Sequence, residues 1–400
     1  MSNHSNPLLS VIIPTRERAE TLQYTLRTAL DQTSKNFEVI VSDNFSQDNT
    51  AEVVRSLSDP RVRLINPGRR LSMCDNWDFA LLHAAGEYIM FVGDDDAVIP
   101  GAIDKLEVSI RATHCLAYRW PRPVYIWPMD GKPARVVELP ATTQASEINL
   151  ENLARLVVSM GGWRYPLIPC MYHSAVAKRI PDSIREKTGR VFHSMAPDLF
   201  MSMAVPVFAK TAIDLGYSVS VVGHSEKSNG GTSDWRDRLV ILDRFIREYG
   251  DYKIHPTLFP EIPAGVNLIP DSLLVAMDKF PDFYGGMKFN YDAMWALLFR
   301  PGSVMFAYGL RRLDIIRKRR QIRRYHPFDV SRFLLYSAFN QTLELRRRVR
   351  SRILRFRGLA KHPPDNIRDF VKSLPLASPR QNASGCTSTG RIRDAGNDVP

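Results

Sequence analysis

Gly86-Glu-Tyr-Ile-Met-Phe-Val-Gly-Asp-Asp-Asp96 joins an apolar run almost directly to three consecutive acids. Gly86 is a residue type that can end a helix in the left-handed conformation. The run Tyr88 to Val92 is apolar on both faces, which predicts a buried parallel strand. Asp94, Asp95 and Asp96 then follow without a polar lead-in. Adjacent carboxylates at the end of a buried strand repel one another unless they share a cation. A hard divalent ion, Mn²⁺ or Mg²⁺, takes oxygen ligands and would remove that repulsion. Open α/β sheets bind ligands at the carboxyl ends of their strands. The plainer alternative is a solvated acidic turn. The strand before the acids and Ile99-Pro100-Gly101 after them favour a ligand site.

Working outward, the same pattern repeats. Leu8 to Ile13 reads as a first buried strand stopped by Pro14, and Thr15-Arg-Glu-Arg18 forms a loop. A helix follows with Leu22, Leu26, Ala29 and Leu30 on one face. Phe37 to Val41 is a second strand ending in Ser42-Asp43-Asn44, and Val62 to Ile65 is a short third. The helix carrying Trp77, Leu81 and Ala84 leads to Gly86. Strands alternating with helices at this spacing predict a doubly wound sheet. Downstream, Tyr118 to Pro128 cannot be a regular central strand because of Pro121 and Pro123. Leu150 to Met160 is helical, Gly161 to Pro166 is loop, Pro197-Asp198 opens a helix, and Tyr217 to Val222 is a strand ending in Gly223-His224. From about Thr232 the chain turns to Pro-interrupted helices, and Leu376 to Pro400 has the composition of a disordered tail.

Charge is unevenly placed. The 400 residues carry a net +12, yet residues 311–357 alone hold sixteen Lys/Arg against three Asp/Glu. The body is therefore near neutral and bears one strongly basic segment. Over residues 293–357 Arg clusters alternate with apolar candidates for membrane anchors: Trp295, Phe299, Phe306, Phe333 and Phe356. Cations beside aromatics suit an interfacial helix on an anionic surface, so a peripheral place on the cytoplasmic membrane face is expected. A solvated basic face and RNA binding are the rival readings, with nucleic acid disfavoured. Four cysteines without paired spacing fit a reducing cytosol, and neither a signal peptide nor an eighteen-residue apolar run is visible.

Individual residues admit two roles each. Asp43 could accept hydrogen bonds from a base or ribose, or simply cap a helix in an Asx turn. Asp198 could be a general base, or a first-turn acid answering the helix dipole. His224 could be a third metal ligand, or a polar loop residue. Neither G-x-G-x-x-G nor a G-x-x-x-x-G-K-[ST] loop occurs, which argues against a dinucleotide or P-loop phosphate cradle.

With those positions fixed, the first ~225 residues resemble glycosyltransferase family 2, whose nucleotide-sugar-binding fold is called GT-A. The resemblance runs through SVIIPTRER at 10–18, EVIVSDNFSQDNT at 38–50 and MCDNWDFALLHAAGEYIMFVGDDDAVIPGAI at 73–103. It implies that Pro14, Thr15, Arg16, Glu17, Asp43, Asn76, Asp94 and Asp95 hold the nucleotide-sugar. It further implies that Asp94, Asp96 and His224 belong to the metal shell, and that Asp198 is the catalytic base. Two departures stand out: Gly93 occupies the family's frequent first acid position, and Pro197 precedes the late acid where Glu or Asp is usual.

The expectation is then an α/β GT-A fold (a doubly wound mixed sheet) over residues 1–230, a helical basic region over 231–375, and a tail over 376–400. The implied activity is an inverting, metal-dependent hexosyl transfer from a nucleoside-diphosphate sugar to a saccharide or lipid-linked acceptor for cell-surface polysaccharide. The alternatives are a sugar nucleotidyltransferase and a non-catalytic nucleic-acid- or membrane-binding protein. The loop at 15–18 lacks the glycines a nucleotidyltransferase needs.

Overall fold

Three parallel strands and their connecting helices set the frame. β1 (Leu9–Thr15), β2 (Phe37–Asp43) and β3 (Val62–Ile65) pair in the order β3-β2-β1, and β4 (Tyr88–Phe91) adds in parallel on the free side of β1. The connections carry α1 (Ala19–Leu30), α2 (Thr50–Ser56) and α3 (Met73–Leu82). Val11, Ile12, Ile13, Ile89, Met90 and Phe91 are fully buried, as strands covered on both faces must be. α1 presents Leu22, Leu26 and Ala29 to this core, the face its periodicity predicts. Because the chain passes from β3 back across β2 and β1 to β4, the carboxyl ends of β1 and β4 flank a topological switch point. The computed structural model describes residues 6–138, 143–162, 164–228, 247–250, 252–258, 264–298 and 363–374, with six positions between 331 and 342.

Beyond β4 the sheet becomes mixed. In chain order come β5 (Ala97–Val98), α4 (Ala102–Thr113), β6 (Ala117–Arg119), β7 (Val124–Ile126), β8 (Arg135–Glu138), β9 (Ser146–Asn149) and α5 (Leu150–Ser159). They are followed by β10 (Ser174–Ala177), α6 (Arg179–Thr188), α7 (Pro197–Phe208), β11 (Thr211–Asp214) and β12 (Ser220–His224). β10 lies antiparallel between β4 and β6, extending the main sheet to β3-β2-β1-β4-β10-β6-β11-β9. A second sheet, β5-β12-β7-β8, leans over the crevice. Pro121 and Pro123 fall between β6 and β7, which belong to different sheets, so no strand runs through them.

Gly86 differs from its sequence reading. α3 ends at His83 in the right-handed conformation, and Gly86 is not among the positive-φ glycines. Its smallness matters instead, since a Cβ there would lie 2.4 Å from the Ser10 backbone nitrogen. The chain passes β1 too closely at this point for any side chain.

The later helices share the same core. α8 (Ala264–Lys279), α9 (Pro281–Tyr284) and α11 (Ile367–Ser373) contribute Leu273, Ala276, Tyr284, Ile367, Phe370 and Val371 to it. Phe370 stacks on Tyr125 at 5.2 Å, and the Tyr125 hydroxyl donates to Pro364 O at 2.6 Å. α10 (Tyr291–Leu298) packs on Gly161, where a Cβ would stand 2.2 Å from Met294 N. Trp295 is 1 % exposed, so it is a packing residue and unavailable as a membrane anchor. Phe299, Phe306, Phe333, Phe356 and the tail from 376 lie outside the described residues.

Candidate active site

The crevice is assembled by three loops at the strand ends. β1 and β2 run in register so that Thr15 stands beside Asp43. Their loops are laced together: Glu17 N donates to Ser46 Oγ at 2.9 Å, and Gln47 N donates to Glu17 Oε1 at 2.7 Å. Pro14 is half-buried just before them. Asp43 is buried, with Oδ1 accepting from Ser46 N at 3.0 Å and Oδ2 from Asn66 Nδ2 at 3.1 Å. Asp43 thus closes its own loop three residues on, without capping a helix (α2 begins only at Thr50), and Asn66 fixes its other oxygen. Arg16 and Arg70 meet on one carboxylate, Glu248, at 3.0 and 2.5 Å. Asn76, 3 % exposed, accepts from Ser42 Oγ at 2.9 Å and so braces β2 against α3.

The three aspartates after β4 have three different surroundings. Asp94 takes Arg18 Nη1 on Oδ1 at 2.8 Å. Burial drives the Asp94 carboxyl up to about 6; the Arg18 guanidinium opposes this and the neighbouring Asp95 charge adds to it. Asp95 Oδ2 accepts from Ser225 Oγ at 2.6 Å, from Ser225 N at 3.2 Å and from the Ser228 hydroxyl, with Arg18 Nη1 4.0 Å away. Asp96 is 0 % exposed and enclosed by donors: Gly93 N at 2.6 Å, Gly223 N at 2.7 Å, the Tyr172 hydroxyl at 2.8 Å and His173 Nε2 at 3.0 Å. Burial alone would raise the Asp96 carboxyl, but His173 and these hydrogen bonds hold it below the ordinary range. These groups fall unevenly on the carboxylate: Gly93 N, the Tyr172 hydroxyl and His173 face Oδ2, while Oδ1 accepts from Gly223 N.

These surroundings also account for Gly93. A Cβ at that position would stand 2.7 Å from Asp96 Oδ2 and 3.1 Å from the Tyr172 hydroxyl. An acid there would collide with the network that holds Asp96. Gly223 is equally constrained, because its Cβ would reach to 1.7 Å from the Asp95 backbone oxygen. Successive side chains of a strand alternate in face, so His224 points away from the face that Gly223 turns to Asp95. Among the described residues no three of His, Cys, Asp and Glu form a ready-made metal cage. Asp94 and Asp95 could hold a divalent ion through their carboxylate oxygens, where Arg18 now meets Asp94 Oδ1 and Ser225 and Ser228 meet Asp95 Oδ2.

Asp198 sits in the first turn of α7 behind Pro197, a residue suited to the first helical position. Burial pushes its carboxyl up; the Leu199 backbone N–H and the Arg122 charge pull the other way. Tyr172 lies within the electrostatic reach of Asp95, Asp96 and Asp198 alike, and so connects the triple acid to the late one. His173 is anchored through Nδ1, 2.8 Å from Ser220 Oγ, while Nε2 lies 3.0 Å from Asp96 Oδ2 without a well-aligned hydrogen bond. Trp120 Nε1 donates to the same Ser220 Oγ at 2.8 Å, so the indole, the serine and His173 form one buried chain beside Asp96.

The residues that sequence reasoning passed over are Arg18, Tyr172, His173, Ser225 and Ser228. Met171-Tyr172-His173 pairs with the end of β4, through Phe91 N to Met171 O at 2.7 Å and His173 N to Phe91 O at 3.1 Å. Met171 and His173 both hold positive φ, 66° and 49°. Backbone in that region is uncommon for bulky residues and marks sites where the surroundings impose a geometry. The sequence offers no local sign of it.

Residues 10–119 match the family described as Glycosyl transferase family 2. Among curated relatives, the GalNAc(5)-diNAcBac-PP-undecaprenol beta-1,3-glucosyltransferase of Campylobacter jejuni is 36 % identical over 103 residues, covering 25 % of this chain and 33 % of that one. The UDP-Glc:alpha-D-GlcNAc-diphosphoundecaprenol beta-1,3-glucosyltransferase WfgD of Escherichia coli is 33 % identical over 103 residues, covering 26 % and 40 %. The matched part thus spans a third to two fifths of those relatives. Among solved structures, S. aureus TarS 1-349 in complex with UDP-GlcNAc aligns over 84 % of this chain and 91 % of that one, at 16 % identity and a TM-score of 0.46.

Proposed function

We propose, on the premise that residues 10–119 are a glycosyl transferase family 2 segment, that this protein transfers a sugar from a nucleoside-diphosphate sugar to an acceptor hydroxyl with inversion. The observation that supports the reading is the convergence of acids at the strand ends: Thr15 stands beside Asp43, Asp94 and Asp95 follow β4, and Tyr172, which donates to Asp96, is near enough to Asp198 to feel its charge. Asp198, its carboxyl raised by burial, takes the proton of the attacking hydroxyl as that oxygen reaches the anomeric carbon from the face opposite the diphosphate. Asp43 fixes the nucleoside, and the 14–17 loop closes beside it. A Mn²⁺ or Mg²⁺ ion held by Asp94 and Asp95 would neutralise charge on the departing diphosphate. Positioning and electrostatic stabilisation supply most of the rate.

The named relatives are glucosyltransferases of undecaprenol-linked acceptors, and one takes UDP-Glc. A UDP-sugar donor and a lipid-linked saccharide acceptor follow as the proposed substrates here. Thermal-shift titration with UDP, GDP and dTDP, each with Mn²⁺, tests the donor. UDP should give the largest shift, and Asp95→Ala should lose it. Equal shifts with all three, or retention of the UDP shift in Asp95→Ala, would contradict the assignment.

A lipid-linked acceptor gives the basic segment a purpose. Leu334 and Leu335, within the span of Arg clusters, are 58 % and 67 % exposed, and no helix among the described residues is long and apolar enough to cross a membrane. Contact with an anionic leaflet contributes about 1 kcal/mol per basic residue near the surface. Replacing Arg317, Lys318, Arg319, Arg320, Arg346, Arg347 and Arg348 by glutamine should release the protein from phosphatidylserine vesicles in co-sedimentation at low salt. Equal sedimentation of both proteins would refute the surface role.

A further inference from the structure

Arg18 stands where the crevice would otherwise need an ion. Its side chain is 18 % exposed, and Nη1 reaches Asp94 Oδ1 at 2.8 Å and Asp95 Oδ2 at 4.0 Å. Burial disfavours the guanidinium charge, but Asp94 and Asp95 more than reverse that. The other fork, Nη2, donates to the Lys227 carbonyl, and Lys227 Nζ returns to the Glu17 carbonyl at 3.1 Å. The 225–228 turn is therefore tied to Asp94 through Arg18, and to Asp95 through Ser225 and Ser228.

We propose that Arg18 and a divalent ion are mutually exclusive occupants of the Asp94–Asp95 pair. The guanidinium neutralises both acids in the free protein and withdraws to face phosphate oxygens when an ion takes the carboxylates. This rests on the reading of the crevice as a donor site. Its physical basis is simple. Two buried carboxylates need a counter-charge, and a guanidinium touching one while 4.0 Å from the other supplies it without an ion. Two cations cannot share that face, because like charges at such separations repel strongly in a water-poor crevice. Two oxygens of a phosphate can take the planar guanidinium's parallel N–H groups together, a pairing that Asp94, meeting Nη1 alone, does not offer. Two of the turn's ties, through Arg18 and through Ser225 and Ser228, end on these acids, so the exchange also loosens that turn, which Lys227 Nζ still holds to the Glu17 carbonyl.

The test uses the full chain and equilibrium binding, with no turnover. Mn²⁺ alone is titrated into wild type, Arg18→Gln and Arg18→Lys by calorimetry, and UDP is titrated separately with saturating Mn²⁺. Removing the competing cation should tighten Mn²⁺ binding about tenfold in Arg18→Gln, the loss of an electrostatic contact of ordinary size. Arg18→Lys, a shorter point charge, should fall between. Amide exchange at residues 225–228 should quicken on adding Mn²⁺ to wild type. Mn²⁺ binding that is unchanged or weaker in Arg18→Gln overturns the proposal, whatever UDP does. If the Gln variant does not fold, the same result in Arg18→Lys overturns it. Failure of wild type to bind UDP while Mn²⁺ tightens as expected would strike the donor reading instead and leave the exchange standing.

Discussion

Asp198→Asn is expected to bind donor as wild type does and to transfer sugar roughly 10²–10⁴-fold more slowly, the usual contribution of a general base. The amide keeps the shape of the carboxyl and its place in the first turn of α7 but cannot take a proton. The wild-type kcat should rise with pH through a value above the ordinary carboxylate range, because burial raises Asp198. The Asn variant should lack that limb. Stability supplies the control. A carboxyl whose folded pKa is raised binds its proton more readily in the native state, so its contribution to stability declines as pH rises through that window. At neutral pH the Asn variant, which has no buried charge at this position, should melt no lower than wild type. A kcat within threefold of wild type, or an acid limb that persists in Asp198→Asn, would mean that another group is the base.

Asp96→Ala should fail for a different reason. Gly93 N, Gly223 N and the Tyr172 hydroxyl all donate to this side chain, and His173 Nε2 is turned toward it. Removing the acceptor leaves these donors buried without partners, at about 1–3 kcal/mol each. Urea denaturation should show a loss of roughly 4 kcal/mol or more, in EDTA as well as with metal. Asp95→Ala should be far milder, since Ser225 and Ser228 can satisfy one another, with hydroxyl oxygens 3.2 Å apart. If Asp96→Ala instead melts like wild type in EDTA and differs only when Mn²⁺ is added, Asp96 is a ligand and its hydrogen bonds are incidental.

The contrast among the three aspartates marks how far the sequence could be read. Strand β4 and the acids after it were legible because an unbroken apolar run followed by carboxylates is a local pattern. So were β1, β2 and the apolar face of α1. β10 was not: Ser174-Ala-Val-Ala177 is short, made mostly of small residues and without period, yet it lies in the middle of the sheet. The triple acid looked like one unit in sequence, and what divides it comes from 76 to 133 positions away in Tyr172, Gly223, Ser225 and Ser228. Arg18 was in plain view as part of a loop. Its meeting with Asp94 exists only because β1 and β4 are neighbours across the switch point. Gly86 reads in sequence as a helix terminator, whereas what the fold demands of it is close approach to Ser10, which no one-dimensional signal carries.

The hydrogen bonds around Asp96 also bear on how such proteins can be recombined. The family-matched stretch ends at residue 119, whereas three of the four groups around Asp96, and the serines on Asp95, come from residues 172–228. A chimera that transplants 10–119 alone would import three carboxylates and leave their donors behind. Interchangeable parts of this architecture must be cut so that the acids, the Tyr172-His173 pair and the Gly223–Ser228 hairpin end travel together.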